Sequence, residues 1–134
     1  MDILAALFVE AIDQRTVPGP ATRIDLMGIM FSLPAPTPPP VTLSPHLVVL
    51  LRCPPDEPGT GTLEVTFVDG RGDEVARNVQ PVNVAPGKFG RQLVKGDLKF
   101  DDYGTIEAHC RLTGTGGGDR IVAVPLTLLP PATP

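Results

Sequence analysis

Residues 62–69 read Thr-Leu-Glu-Val-Thr-Phe-Val-Asp, and this stretch decides the fold class. Leu63, Val65 and Phe67 share one face of an extended chain, while the threonines and the glutamate between them fall on the other face. A strand with one apolar and one polar face is typical of an antiparallel sheet that has a core on one side and water on the other. The stretch therefore predicts a half-buried antiparallel strand.

Two later segments, at 105–112 and at 120–129, repeat this alternation. The side chains predicted to point inward are Ile106, Ala108, Cys110 and Leu112 in the first segment, and Val122, Val124, Leu126 and Leu128 in the second. Because Pro125 cannot donate a ladder hydrogen bond, the second segment is predicted to be an edge strand. Asp69-Gly70 predicts a hairpin turn after the first strand.

Composition favours the same fold class. The 134 residues include 14 Gly and 17 Pro, and an interior proline costs a helix about 3 kcal/mol. No stretch has a convincing helical period, whereas weaker strand patterns occur at 23–31, 75–84 and 91–100. Short strands with regular turns predict one all-β domain over 1–134, an antiparallel β-sandwich of about seven to nine strands.

Residues 100–106 and two proline-rich segments add detail to this prediction. Phe-Asp-Asp-Tyr-Gly-Thr-Ile at 100–106 resembles the start of the tyrosine corner of immunoglobulin-like sandwiches, although Ile106 holds the position of the tyrosine. Residues 33–45 carry five prolines between Pro34 and Pro40 and are predicted to form a stiff connector between strands. Residues 130–134 form a second, shorter proline-rich segment at the carboxyl end.

Two predicted strands, at 3–9 and at 47–51, are apolar on both faces. In a small antiparallel sandwich one face of each strand meets water, so these two strands need a second cover. One explanation is that the connector at 33–45 lies over the sheet. The other explanation is a surface for self-association or for a protein partner, and both stay open. The residues of this candidate interaction surface are Leu4, Phe8, Val48 and Leu50.

Charge and hydropathy exclude several functional classes. The formal net charge is −4, and the chain has no Trp, one Tyr and five Phe, so it lacks the basic stripe and the stacking aromatics of a nucleic-acid binder. The apolar segment at 3–12 is too short to cross a membrane, and its flanking charges are acidic rather than basic. We expect a cytoplasmic protein with no membrane span.

Candidate metal and recognition motifs are weak. His46, Cys53, His109 and Cys110 do not predict zinc, because neighbouring residues 109 and 110 of a strand point to opposite faces. The acidic residues of the predicted turns do not have the spacing of a calcium loop. Arg71-Gly72-Asp73 is a tripeptide that adhesion receptors recognise, but glycine and aspartate are ordinary in a hairpin turn. We predict no metal and no cofactor.

Reactive constellations are also missing from the sequence. Ser32 and Ser44 are the only serines, and neither lies in a nucleophile elbow. The glycine-rich run at 114–118 precedes a strand rather than a helix, so it does not match a nucleotide-binding loop. We predict no catalytic residues and no enzymatic activity.

As a whole, the chain resembles a family of short, single-domain bacterial proteins of unknown function with an immunoglobulin-like β-sandwich. The resemblance rests on the segments at 5–11, 24–29, 46–51, 63–69, 100–106 and 121–129 and on the proline-rich connector. It implies the fold and no catalytic activity. We therefore expect a non-enzymatic interaction or structural module, as a homo-oligomer or with a protein partner. The alternative is a carrier of a small apolar ligand or lipid, held in a pocket between the sheets.

Overall fold

The computed structural model describes residues 1–17, 21–114 and 119–131. Within these ranges the chain forms twelve β-strands and no helix, which confirms the predicted all-β class. The predicted number of seven to nine strands is too low. Four strands were not predicted as separate elements: Ala11–Val17, Ser32–Pro34, Val41–Leu43 and Leu98–Phe100. The last three of these are only three residues long, and strands of that length carry too little periodicity to be recognised in a sequence. The strands are β1 (Asp2–Val9), β2 (Ala11–Val17), β3 (Ala21–Met27), β4 (Ser32–Pro34), β5 (Val41–Leu43), β6 (His46–Arg52), β7 (Thr60–Val68), β8 (Glu74–Asn83), β9 (Phe89–Lys95), β10 (Leu98–Phe100), β11 (Gly104–Gly114) and β12 (Asp119–Leu129).

Two larger sheets form the body of the protein. The five-stranded sheet has the order β4-β12-β11-β7-β8, and the three-stranded sheet has the order β1-β6-β9. The pairs β2–β3 and β5–β10 form two small sheets. Among the described strands the pairings are antiparallel except for β4, which runs parallel to β12.

The core lies between the two larger sheets, because buried side chains from both sheets belong to one apolar cluster. The inward faces predicted for the stretches at 62–69 and 105–112 are confirmed, since each of their inward side chains is at most 2% exposed. These side chains face Ala6, Phe8, Leu47, Val49 and Leu51 of the three-stranded sheet.

The position of β12 corrects one prediction. Pro125 was expected to mark an edge strand, but β12 is second from the edge, because β4 pairs with Thr127, Leu128 and Leu129. The parallel pairing begins two residues after Pro125, so the proline still lies where β12 has a partner on one side only. The physical rule for proline therefore holds locally, although the strand as a whole is not an edge.

A hairpin made of β2 and β3 covers the outer face of the three-stranded sheet. Val9 and Val48 point to this outer face and are each 1% exposed, although neither belongs to the cluster between the sheets. The hairpin residues Gln14 and Ile24 line a cleft together with β9, which places the hairpin above this sheet. The second cover that the two-sided apolar strands require is thus the hairpin.

The proline-rich connector joins the sheets instead of lying over one of them. Its first residues form β4 in the five-stranded sheet, and its later residues form β5, which pairs with β10. Ala35 within it is 4% exposed and belongs to the core cluster. Of the segment at 130–134, Pro130 and Pro131 are exposed, and the remaining residues lie outside the described ranges.

Candidate functional site

The structure places the four residues of the predicted interaction surface in different environments. Phe8 is fully buried in the core, and Val48 is buried beneath the hairpin, so neither can contact a partner. Leu50 lies on the same outer face as Val48 and is partly buried. Leu4 is 57% exposed, because it occupies the irregularity in β1 between Ile3 and Ala5. Of the four predicted residues, Phe8 and Val48 are thus buried, Leu50 is partly buried, and Leu4 alone is exposed.

A second apolar surface, which was not predicted from the sequence, is accessible. Met27 ends β3, while Ile29 and Phe31 lie in the connection between β3 and β4, and each of the three side chains is about half exposed. We call these three side chains, together with the exposed Leu129 of β12, the edge patch. Its signal in the sequence is a large apolar residue at every second position from 27 to 31, in a segment that resembled an ordinary weak strand.

Backbone hydrogen bonds hold the edge patch in place. The amide of Met30 donates to the carbonyl of Phe8 at 2.9 Å, and the amide of Thr127 donates to the carbonyl of Phe31 at 2.9 Å. Met30 packs against the core, so its two neighbours in the chain point away from the core. The exposed side chains thus lie on a backbone fixed at several points, which is a property of a preformed contact surface.

A pocket of mixed polar and apolar lining is found where the β7–β8 turn meets the loop before β11. It is open and has a volume of about 380 Å³. The lining residues are Asp69, Gly70, Arg71, Lys99, Phe100, Asp101, Asp102, Tyr103, Gly104, Thr105 and Ile106. Phe100 and Ile106 belong to the core, so the inner wall of this pocket is the end of the core itself.

Asp69 organises the β7–β8 turn. One of its carboxylate oxygens accepts hydrogen bonds from the amides of Arg71 and Asp73, at 2.9 and 3.0 Å. These two bonds hold the pKa of Asp69 below its usual value, because they stabilise the ionised carboxylate, and the bond from the amide of Asp73 has the larger effect. The predicted hairpin turn after Asp69 is confirmed.

The Arg71-Gly72-Asp73 tripeptide lies at this turn, and the side chains of Arg71 and Asp73 are close to each other instead of extending separately into solvent. Nε of Arg71 is 3.9 Å from a carboxylate oxygen of Asp73. Nη2 of Arg71 is also 3.6 Å from oxygens of Asp69 and Asp101. The guanidinium is thus shared among three carboxylates and folds back over the pocket.

The two cysteine thiols and the two histidine imidazoles do not come together at one site. Cys53 and Cys110 are free and buried, and burial raises the pKa of Cys110 to about 12. His46 lies on the three-stranded sheet, while His109 lies on the five-stranded sheet, 3.4 Å from a carboxylate oxygen of Glu107. In the described ranges no three His, Cys, Asp or Glu side chains are grouped so as to hold a metal ion.

The acidic residues considered as oxygen ligands are engaged by local donors. Asp97 accepts a hydrogen bond from the hydroxyl of Ser44 at 2.6 Å, which ties it to the end of β5. Asp101 pairs with Lys99 at 3.7 Å, and Asp102 accepts a hydrogen bond from the amide of Tyr103. Each of these three carboxylates is thus paired with a nearby hydrogen-bond donor or cation.

Comparison with known proteins leaves the site to be interpreted on its geometry. No protein-family model matches the chain, and no curated protein matches it. Within the described part of the chain, no helix is long and apolar enough to cross a membrane.

Proposed function

We propose that the protein is a non-enzymatic interaction module built on an immunoglobulin-like β-sandwich, and that it self-associates through the edge patch. The observation that carries this proposal is the exposure of Met27, Ile29 and Phe31, three half-exposed apolar side chains within five residues of a hydrogen-bonded backbone. Exposed apolar groups on a fixed scaffold mark contact surfaces, because burying them releases water without ordering the chain.

The strand order supports the immunoglobulin-like part of the proposal. In that fold, sequential strands alternate between two facing antiparallel sheets through Greek-key connections. Here β1, β6 and β9 form one sheet, while β7, β8, β11 and β12 belong to the other, so the chain crosses between the sheets repeatedly. The resemblance to short bacterial proteins with this fold forms part of the same proposal.

Two observations support a non-enzymatic role in the cytoplasm. The buried Cys110 keeps its proton, and the carboxylates at the pocket beside the β7–β8 turn pair with local donors, so the described residues offer no activated nucleophile or base. Both cysteines are free, which is the state expected of thiols in a reducing compartment.

A second copy of the chain is the partner that fits the edge patch. The four side chains of the patch carry no charge, so two copies related by a twofold axis can bring the same surface together without electrostatic repulsion. The ends of β4 and β12 lie beside the patch, which gives both copies rigid backbone at the contact.

Native mass spectrometry of the wild type and of Phe31→Asp tests this proposal. The wild type should have a mass of two or more times the 14.1 kDa of one chain. Phe31→Asp should have the mass of a monomer, because a buried, unpaired carboxylate opposes association. Circular dichroism should show an unchanged far-ultraviolet spectrum for the variant, since Phe31 is 55% exposed and its replacement leaves the fold intact.

Val79→Asp is the matched control. Val79 is 56% exposed on β8, away from the edge patch, so its variant should assemble like the wild type. A monomeric wild type at its solubility limit, or a folded Phe31→Asp that still assembles, would contradict self-association. Val48→Asp is unsuitable as a test, because Val48 is buried and the substitution should unfold the protein.

A further inference from the structure

A cleft of about 260 Å³ separates the β2–β3 hairpin from β9. Its walls are Gln14 and Ile24 on the hairpin and Phe89, Gly90 and Arg91 on β9. Gln14 and Ile24 are direct cross-strand partners, so they point together toward β9. The cleft lies outside the core, on the outer face of the three-stranded sheet.

The cleft has two apolar side chains, Ile24 and Phe89, and one cation, Arg91, on walls that are otherwise polar. Phe89 is 49% exposed, and Ile24 is partly buried on the opposite wall. Leu50 is the cross-strand partner of Arg91, so it shares the outer face of the sheet with the cleft. An apolar ligand group between Ile24 and Phe89 would remove both side chains from water.

Positive charge on this side of the molecule is not neutralised. Arg91 and Lys95 are exposed on β9, and neither forms an ion pair with a carboxylate of the described residues. The carboxylate of Asp25 is bound to Arg15 at 2.8 Å and lies on the opposite face of the hairpin from Ile24. An anion in the cleft would therefore meet a guanidinium without a competing partner.

We propose that this cleft binds a small amphipathic anion, a carboxylate with a short alkyl chain. The carboxylate pairs with Arg91, and the alkyl chain lies between Ile24 and Phe89. The volume of about 260 Å³ lies below the roughly 300–1,000 Å³ of pockets for drug-sized ligands, so a short alkyl chain fits better than a long one. This site is separate from the edge patch and does not depend on self-association.

Titration with octanoate, followed by calorimetry and by amide chemical shifts, tests the proposal. Octanoate should bind saturably and shift the amides of residues 14, 24 and 89–91. Arg91→Gln should weaken octanoate binding by roughly tenfold or more, because the charge-assisted pair is lost. Lys99→Gln is the control, because Lys99 is an exposed cation in the pocket beside the β7–β8 turn and not in the cleft, and this variant should bind octanoate like the wild type.

Further comparisons separate the possible failures. Phe31→Asp should bind octanoate normally, so loss of assembly and loss of ligand binding can be told apart. Equal affinity for 1-octanol and octanoate, or octanoate affinity unchanged in a folded Arg91→Gln, would overturn the proposal. Binding to vesicles with anionic lipid but not to free octanoate would also overturn it, and would indicate a membrane-facing surface.

Discussion

Cys110 shows how one side chain makes stability depend on pH. Its pKa is about 12 in the folded protein because the thiol is buried, whereas its ordinary value is 9.0. Below pH 9 the thiol is protonated in both states and has no effect on the pH dependence. Between about pH 9 and pH 12 only the unfolded state loses the proton, so the free energy of unfolding falls as the pH rises.

We expect the wild type to lose about 1.4 kcal/mol more per pH unit in this range than Cys110→Ala does. Urea unfolding at several pH values from 8 to 11 measures the difference, because other titrating groups are common to both proteins. Parallel pH profiles of the two proteins would show that Cys110 ionises as easily in the folded state as in the unfolded one.

Burial on one face of a strand could be predicted from the sequence, and burial on two faces could not. Ile106 and Leu112 alternate with polar residues, and this period by itself gives their inward direction. Val48 lies in a continuous apolar run, which is equally compatible with a partner surface and with a covering segment. The choice depends on what lies above the strand, and that is a tertiary property.

At the scale of elements, Gly59 and Gly72 provide a matched pair for measuring steric crowding at a strand end. Both have a positive φ, of 74° and 85°. A Cβ on Gly59 would overlap the backbone carbonyl of Val84, whose amide is bonded to Gly59, whereas no heavy atom lies within 4 Å of the position on Gly72.

Gly72→Ala should lower the free energy of unfolding by about 1–2 kcal/mol, the cost of the backbone conformation alone. Gly59→Ala should lower it by about 3 kcal/mol or more, because β7 and β8 must also separate. Chemical denaturation of both variants gives the comparison. Equal losses would mean that the chain relaxes around the added carbon at Gly59.

The β2–β3 hairpin is the element that the sequence analysis did not identify. Its signal is present, since Ile12 and Gln14 alternate with Asp13 and Arg15 before a Pro-Gly-Pro sequence, and Ile24 and Leu26 alternate with charged residues after it. The first half was joined instead to the apolar segment at 3–12. Because β1 ends at Val9 and β2 begins at Ala11, only one residue separates two strands with different periods.

The two sheets are also connected at one edge by side-chain amides. The amide of Gln80 on β8 donates to the carbonyl of Leu93 on β9 at 2.9 Å, and the amide of Gln92 donates to the side-chain oxygen of Gln80 at 3.0 Å. The first of these bonds occupies a backbone carbonyl that β9, an edge strand, would otherwise offer to another chain. The partners in both bonds are set by how the sheets face each other, which no local pattern specifies.

For the whole molecule, the strand order predicts a hierarchy of local stability. β11 lies between β7 and β12 and contributes four buried side chains to the core, whereas β2 and β3 pair only with each other. Hydrogen exchange of β11 should therefore require unfolding of the whole protein, while exchange of the hairpin should require only its own opening.

Hydrogen–deuterium exchange with mass spectrometry checks this order. Peptides from residues 104–114 should exchange most slowly, and peptides from residues 11–17 should exchange faster by at least roughly tenfold. Adding octanoate should slow the hairpin without changing β11, because the proposed ligand bridges the hairpin and β9. Hairpin protection equal to that of β11 would indicate that the two open as one unit.

The hairpin leaves the body of the protein and returns to it at a single point. The amide of Glu10 donates to the carbonyls of both Met27 and Gly28, at 3.0 and 3.1 Å, so the two ends of the excursion touch. A segment whose ends already meet can be lengthened, shortened or exchanged without altering the path of β1 or β4. The body is therefore a ready scaffold for grafting, on which a transplanted hairpin that keeps an apolar face over Val9 and Val48 would change the chemistry of the cleft while both sheets stayed intact.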